Sequence, residues 1–226
     1  MIAAGLPLIR LLHLASPGLP VGAYTYSQGI EWAVESSAVR DETTALAWIG
    51  GLLEAGIGRF EAPLLGCQQR AWMTENYWEA ARLNELFLAS RETSELRAET
   101  LQMGYSLRRL AGDLPDFPSL APLDAMEEIA FPTVWAAMAA HWAIPVQSSL
   151  AAYIWSWCEN QTMAAVKAVP LGQSSGQRIL VRLGVLIPEA AARALDLLEE
   201  EWSNFAPGLA IACSRHETQY SRLFRS

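Results

Sequence analysis

The stretch Met163-Ala164-Ala165-Val166-Lys167-Ala168-Val169-Pro170-Leu171-Gly172-Gln173-Ser174-Ser175-Gly176-Gln177 decides the fold class. Its second half contains the pattern Gly-x-Ser-x-Gly, which is the nucleophile elbow of serine hydrolases. That elbow needs a strand running into the serine, whereas residues 163–169 favour a helix and Pro170 interrupts any strand. We therefore predict a break between two helices, with a new helix N-terminus at Gly172 and Ser174.

One observation still supports a serine hydrolase, and it is the order of the candidate residues along the chain. Asp196 and His216 follow Ser174, as the acid and the base follow the serine in one hydrolase class. A triad is recognised by geometry and not by order, so a serine hydrolase using Ser174 and His216 remains the less favoured reading. The same loop lacks the Gly-Lys-Ser/Thr of a phosphate-binding loop, which argues against nucleotide binding by this chain alone.

Outward from this stretch, helical spacing of apolar residues dominates the whole sequence. The predicted helices cover residues 8–15, 26–34, 43–57, 62–72, 75–89, 94–112, 123–130, 133–143, 146–169, 173–186, 188–205 and 209–223. The segment 113–122 holds three prolines and is predicted to be a surface loop, with alike composition on its two sides. No alternating strand pattern is present, so we predict an all-α fold, a single-domain bundle of roughly ten helices over residues 1–226.

Composition limits the classes of function. Of the 226 residues 52% are hydrophobic and 18% charged, nine are Trp, and the net charge is −8. A chain this apolar is expected to fold around a large core and to hide apolar surface in a partner or in self-association. The acidic balance disfavours nucleic acid and anionic membranes as partners. The longest apolar stretch is bracketed by Pro132 and Pro145 and is too short for a membrane helix of roughly 20 residues.

The cysteines and histidines offer little chemistry. Three cysteines, far apart and odd in number, predict free thiols and a cytoplasmic location. Cys213 and His216 are three residues apart, so a helix would bring them to one face as weak candidates for a soft divalent metal. A tight site needs three or four ligands, so we predict no metal site and no cofactor. His13 and His141 are interpreted as structural core histidines.

Two segments concentrate polar and aromatic residues instead. The first, residues 16–31, combines prolines, glycines, tyrosines and hydroxyls in a loop that leads into a helix. The second, residues 215–226, is basic and aromatic in an otherwise acidic chain. Tyr220, Leu223 and Phe224 lie at helical spacing there, so this end is expected to dock in a groove, either on its own body or on a partner.

These segments resemble the UreF-type urease accessory proteins. Together the matching motifs extend over nearly the whole chain. They are Ser16-Pro17, Leu19-Pro20-Val21-Gly22, Tyr26-Ser27-Gln28-Gly29-Ile30-Glu31, Leu96-Arg97, Met103-Gly104, Leu107, Leu110, Val169-Pro170-Leu171-Gly172-Gln173, Gly176-Gln177, His216-Glu217 and Gln219-Tyr220-Ser221-Arg222-Leu223-Phe224.

The resemblance implies an all-α, homodimeric protein that is not an enzyme. Family members bridge a second accessory protein, UreD (called UreH in some systems), and the nickel-binding GTPase UreG on apo-urease. They modulate GTP-dependent insertion of nickel into the urease active site. Direct nickel carriage through Cys213 and His216 is the alternative within the same pathway.

The resemblance also implies two partner-binding sets of residues. The set expected to face UreD or UreH is Pro17, Leu19, Pro20, Tyr220, Arg222, Leu223 and Phe224. The set expected to face UreG is Tyr24, Glu31 and Lys167. No catalytic residue is expected.

Overall fold

A helical hairpin at residues 146–196 forms the centre of the fold. The computed structural model describes residues 5–115, 117 and 121–226, and in it α9 (Val146–Ala168) packs along α10 (Gln173–Asp196). A Cβ added at Gly176 would lie 2.9 Å from Val166 Cγ2, whereas Gly184 meets the Trp155 ring. The two helices are therefore antiparallel, and the small residues of α10 allow their close approach.

The remaining helices surround this hairpin. Their bounds are α1 (Gly5–Leu14), α2 (Ile30–Glu35), α3 (Glu42–Leu52), α4 (Ala62–Met73), α5 (Tyr77–Ala89), α6 (Ser94–Asp113), α7 (Ala121–Asp124), α8 (Phe131–His141) and α11 (Pro207–His216). Helix α8 packs on α4 and α6, and α4 also packs on α9. The main apolar core runs from Leu14 to Phe224 along the chain, so the described residues form one helical domain. Over the same residues there is no β-strand, which confirms the all-α prediction.

The predicted end of the third helix at residue 57 is wrong. A π-helical segment, Leu53–Glu61, joins α3 directly to α4. A Cβ at Gly58 would lie 2.9 Å from the Leu53 carbonyl oxygen, so glycine permits the wider turn here. The segment ends at Glu61, a carboxylate whose side chain faces the interior. Wider turns of this kind occur often at functional sites.

The helix predicted at 123–130 is also wrong beyond Asp124. Residues 128–130 instead lie outside any helix, where Asn84 Nδ2 donates to the Glu128 carbonyl and Asn84 Oδ1 accepts from the Ala130 amide, both at 2.9 Å. Gly104 lets this segment cross α6, since a Cβ there would collide with the Ile129 carbonyl oxygen. The predicted loop at 113–122 lies partly outside the described residues, and its first residue, Asp113, ends α6.

Two boundaries near the end of the chain differ from the prediction. The expected break before Pro188 is absent, because the buried stripe of α10 continues through Ile187 and Ala191, and Pro188 lies on the exposed face. The last helix ends at His216, so Tyr220, Leu223 and Phe224 do not share a helical face. At the start of the chain, α2 begins only at Ile30, after Gly29 with φ of 76°.

Candidate partner-binding site

The loop at residues 16–29 is fixed at its middle and at its C-terminal end. Gly22 and Gly29 adopt left-handed φ values of 80° and 76°, which favour glycine. A Cβ at Gly29 would lie 2.9 Å from Ala212 Cβ, so α11 packs directly on the backbone at this point. Between the glycines, Tyr24 donates its hydroxyl proton to Glu159 Oε2 on α9 at 3.2 Å. Burial, followed by the Glu159 charge, raises the pKa of Tyr24 well above its ordinary value.

After α11 a turn at residues 217–218 leads the chain back across this loop, and we call residues 217–226 the strap. The Arg225 amide donates to the Thr25 oxygen at 2.8 Å, and the Ser226 oxygen accepts from the Ser27 amide at 2.7 Å. Inward and outward side chains alternate at its end as in a β-strand. Phe224 and Ser226 are buried, whereas Leu223 and Arg225 are exposed. The strap thus docks on the body of its own chain.

Glu31 receives the strap. This carboxylate is buried at the start of α2 and accepts from the Leu223 amide at 2.6 Å and from the Phe224 amide at 3.0 Å. His216, fully buried, lies beside it with Nε2 3.3 Å from Glu31 Oε2 and Nδ1 2.7 Å from Glu95 Oε2. Arg222 donates to the other oxygen of Glu95 at 2.6 Å. The carboxylates of Glu31 and Glu95, with His216 between them, therefore position the strap on the body of the protein.

A third carboxylate, Glu99 of α6, lies beneath the end of the strap. Its Oε2 accepts from Ser226 Oγ at 2.9 Å, and its Oε1 accepts from Gln28 Nε2 at 2.7 Å. Trp157 of α9 donates to the Gln28 oxygen at 2.7 Å, so the network continues into the central hairpin. Burial raises the pKa of Glu99 from 4.5 to about 7, and the hydrogen bonds from the neutral Gln28 and Ser226 groups offset this rise only in part.

A cavity of about 90 Å³ lies between the loop, α6 and α9. Its floor holds Glu61, which pairs with Arg91 Nη1 at 2.8 Å and accepts from the Tyr153 hydroxyl at 3.0 Å. Burial raises the pKa of Tyr153, and the Glu61 charge adds to the effect. Tyr24 and Glu99 also line the cavity. The loop, α6 and α9 thus all contribute polar side chains to one cavity.

The residues predicted to face UreD or UreH fall into two groups by exposure. Tyr220 is fully exposed and Leu223 is 74% exposed, whereas Phe224 is only 7% exposed. The remaining members lie at the surface or half-buried. They are Pro17, Leu19, Pro20 and Arg222. Phe224 therefore anchors the strap, and its neighbours carry the outward surface.

The residues predicted to face UreG do not form a separate surface. Lys167 is exposed and its Nζ lies 5.6 Å from the centroid of the Phe224 ring, so it adjoins the strap. Tyr24 is half-buried against Glu159, on the loop that the strap crosses. Glu31 is 7% exposed, and both of its oxygens accept from strap amides. The two predicted sets thus meet at the strap.

The geometry gives no support to the hydrolase reading. Ser174 is exposed in the first turn of α10, and Gly172, rather than a serine, is the N-cap residue. The only histidine in the proposed triad, His216, has both ring nitrogens on carboxylates, so neither is free to take a proton from a serine. The helix that precedes the Gly-x-Ser-x-Gly pattern, α9, stands where the elbow needs a strand.

The metal candidates are likewise engaged elsewhere. Burial raises the pKa of the Cys213 thiol far above its ordinary value, which disfavours the thiolate that a metal would need. No group of three or more His, Cys, Asp or Glu side chains within the described parts of the chain is arranged to hold a metal ion. His13 and His141, interpreted as core histidines, are both exposed, and the buried histidine is His216.

Sequence reasoning missed the interior carboxylates Glu61 and Glu99. A signal for Glu99 was present, because it falls on the same face of α6 as the buried Leu96, Met103 and Leu107. A charged residue on an apolar helical face is rarely buried without a polar partner. No such signal marks Glu61, since the π-helical segment shifts the helical phase just before it.

Comparison with known proteins decides the family. The UreF family profile matches residues 39–184, which is more than half of the chain. The chain belongs to the UreF family. A urease accessory protein UreF from Azoarcus sp. (strain BH72) is 63% identical over 98% of this chain and 96% of its own length. One from Dechloromonas aromatica (strain RCB) is 59% identical over 98% of each chain.

The family assignment makes this chain an accessory protein of urease maturation. The matched range runs from just before α3 to the middle of α10, whereas the UreF-like loop and the strap lie outside it. The alignments to the two relatives extend beyond the matched range, since each covers 98% of the chain. No helix in the part of the chain that the structure describes is long and apolar enough to cross a membrane.

Proposed function

We propose that this UreF-family chain is a cytoplasmic, non-enzymatic scaffold that bridges UreD (or UreH) and the UreG GTPase on apo-urease. In this role it modulates the GTP-dependent insertion of nickel into the urease active site. Nickel is the cargo of the assembly rather than a resident cofactor of this chain. The proposal joins the family's role in urease maturation to the connected loop and strap.

One observation carries the proposal: the strap presents large apolar side chains on a fixed backbone. Tyr220 and Leu223 project to solvent, yet the Leu223 amide is bound to Glu31. Exposed aromatic and aliphatic residues that are ordered before binding lose little conformational entropy on docking. We assign the UreD or UreH side to this outward face of the strap, with Pro17, Leu19, Pro20 and Arg222 beside it and Phe224 as its buried anchor.

The UreG side is assigned to Tyr24 and Lys167, with Glu31 acting from beneath. Lys167 is a cation in reach of an acidic partner, and its neighbour Phe224 couples it to the strap. Because Glu31 binds the backbone of the strap, its contribution is to position that segment. Binding of UreG beside Glu31 is thereby linked to the conformation of the strap that UreD or UreH binds.

Co-purification with UreD, UreG and apo-urease, followed by a urease activation assay, tests the scaffold. We expect Tyr220→Ala combined with Leu223→Ala to weaken UreD capture at least about tenfold, the loss of a hot-spot contact. The matched control is Val181→Ala with Val185→Ala, which removes two exposed apolar side chains from α10. Equal UreD capture by the two double variants would contradict the assignment, and normal activation without this protein would contradict the scaffold role.

The UreG side has its own test. Lys167→Ala should weaken UreG capture and leave UreD capture unchanged, whereas Arg40→Ala, another exposed cation, should change neither. Loss of both partners with Lys167→Ala would assign Lys167 to the strap's support instead. We also propose a homodimer, which light scattering on the purified chain tests directly. A monomer at every concentration would remove that part.

A further inference from the structure

The end of the strap covers a carboxylate that has no cation on it. Glu99 is 4% exposed and Ser226, which contacts it, is 1% exposed. Its two direct partners, Gln28 and Ser226, are neutral. Arg91, the cation whose charge acts on Glu99, is bound to Glu61 at 2.8 Å, so it offsets a charge on Glu99 only in part. An ionised Glu99 beneath the docked strap is therefore costly.

The other groups around this carboxylate do not relieve the cost. Glu61 adds a negative charge from the cavity floor, and the buried Cys213 thiol faces it from α11. On the strap side, His216 and Arg222 are committed to Glu31 and Glu95. Tyr153, the remaining titratable group of the network, donates to Glu61. Water is thus the effective source of stabilisation for a charged Glu99, and the strap excludes it.

A neutral Glu99 fits the same geometry. Protonated at Oε2, it donates to Ser226 Oγ at the observed 2.9 Å, since a hydroxyl oxygen is also an acceptor. Oε1 keeps its hydrogen bond from Gln28. The strap's other contacts, from Thr25, Ser27 and Glu31, do not depend on this proton. Docking the strap therefore changes the solvation of one titratable group.

We propose that the strap is a detachable latch whose docking takes up one proton at Glu99, so that it closes when Glu99 is neutral and loosens when Glu99 is ionised. The inference concerns the strap and stands whichever protein binds its outward face. For a partner that needs Tyr220 and Leu223 held in place, it makes binding weaker as the pH rises. A partner that supplies a cation to Glu99 would instead hold the carboxylate exposed and the strap open.

The direction and the range of the effect follow from linkage. With the strap docked the pKa of Glu99 is raised to about 7, and with the strap released we expect a return toward the ordinary 4.5. The docked state then binds more protons between these values, so rising pH disfavours docking. The docking equilibrium should fall about tenfold per pH unit in that window, for a total of roughly 300-fold, and level off above it.

Hydrogen exchange of the strap amides, measured on the full chain from pH 5 to 9 and corrected for intrinsic rates, tests the latch. In the wild type, protection of residues 223–225 should fall as the pH rises to about 7 and then become constant. In Glu99→Gln it should stay constant throughout, because the side chain no longer titrates. The matched control is Glu92→Gln, which removes an exposed carboxylate just before α6 and should keep the wild-type profile.

The exchange profiles of the wild type and of Glu99→Gln decide the proposal. A flat wild-type profile overturns the proposal, as does a Glu99→Gln profile with the wild-type slope. Amides of α9 in the same sample report whether the variant is folded. If Glu99→Gln does not fold, Ser226→Ala serves instead. It removes a hydrogen bond that lowers the pKa of Glu99, so the transition should move to higher pH, and an unmoved transition overturns the proposal.

Discussion

The central hairpin and the strap are held in place by different physics. In the hairpin, α9 and α10 bury apolar side chains such as Ile154, Ile179 and Leu183 along many residues. In the strap only Phe224 and Ser226 are buried, and hydrogen bonds to the carboxylates of Glu31, Glu95 and Glu99 supply most of its other contacts. The many apolar contacts of the hairpin can be lost only by unfolding the core, whereas the few hydrogen bonds of the strap can break together while the core stays folded. The strap therefore belongs among the locally opening parts of the molecule.

The largest expected effect tests the hairpin. Leu183→Ala should lower the free energy of unfolding by about 3 kcal/mol, because Leu183 is fully buried and its loss leaves a cavity. Val185→Ala on the same helix is the control. Val185 is 75% exposed, so its change should stay within about 0.5 kcal/mol. Urea denaturation followed by circular dichroism measures both. Equal losses in the free energy of unfolding would contradict the central role of the hairpin.

A smaller effect tests whether the strap is separable from the core. Phe224→Ala should abolish exchange protection in the strap yet lower the free energy of unfolding by less than about 2 kcal/mol. A truncation of Phe in a continuous core costs roughly 3–5 kcal/mol, but a strap that opens by itself limits the loss to its own docking free energy.

Leu223→Ala is the matched variant for this prediction. It truncates an exposed neighbour on the same strap, so both exchange protection and unfolding should remain near wild type. A full core cost for Phe224→Ala, with cooperative loss of protection in α9, would break the comparison. The strap would then be an integral part of the core.

The smallest effect concerns the first residue of the strap. Glu217 accepts from the Ser94 amide at 2.9 Å and the Ser94 hydroxyl at 2.6 Å, at the start of α6. These hydrogen bonds lower the pKa of Glu217, so its contribution is present above the ordinary value of 4.5 and is lost as the pH falls through the lowered value. The two ends of the strap thus respond to pH in opposite directions.

Exchange measurements below pH 4.5 test this last prediction. In the wild type, protection at residues 217–219 should fall on acidification, and Glu217→Gln should remove part of that fall. The change should be slight, because Glu217 is only half-buried and water screens the interaction. Identical acid profiles for the wild type and Glu217→Gln would show that the hydrogen bonds to Ser94 do not hold the strap.

The helices of the molecule were predictable because their apolar residues recur with the helical period. The predicted bounds 146–169 and 94–112 differ from those of α9 and α6 by one residue at one end. The errors occur where tertiary contacts override this period. Gly58 permits a π-helical turn, Asn84 binds the backbone of residues 128–130 outside any helix, and the buried face of α10 continues past Pro188.

The candidate site was predictable in its segments but not in its contacts. The motifs at 16–31 and 215–226 marked the loop and the strap, and the chain belongs to the family that they resemble. Sequence spacing placed Tyr220, Leu223 and Phe224 on one helical face, whereas the structure places Phe224 inside and the other two outside. The reason is that α11 ends at His216 and that Glu31 binds two successive strap amides, which fixes a non-helical backbone there.

The sequence by itself determined the helical class, the core faces of the long helices, and the family, because each of these depends on residues that are near in sequence. Only the tertiary structure decided that His216 lies between Glu31 and Glu95, and that Ser226 covers Glu99. These partners are more than 120 residues apart, and a carboxylate's surroundings depend on which distant segments exclude water from it. For this protein, that exclusion sets the state of the strap.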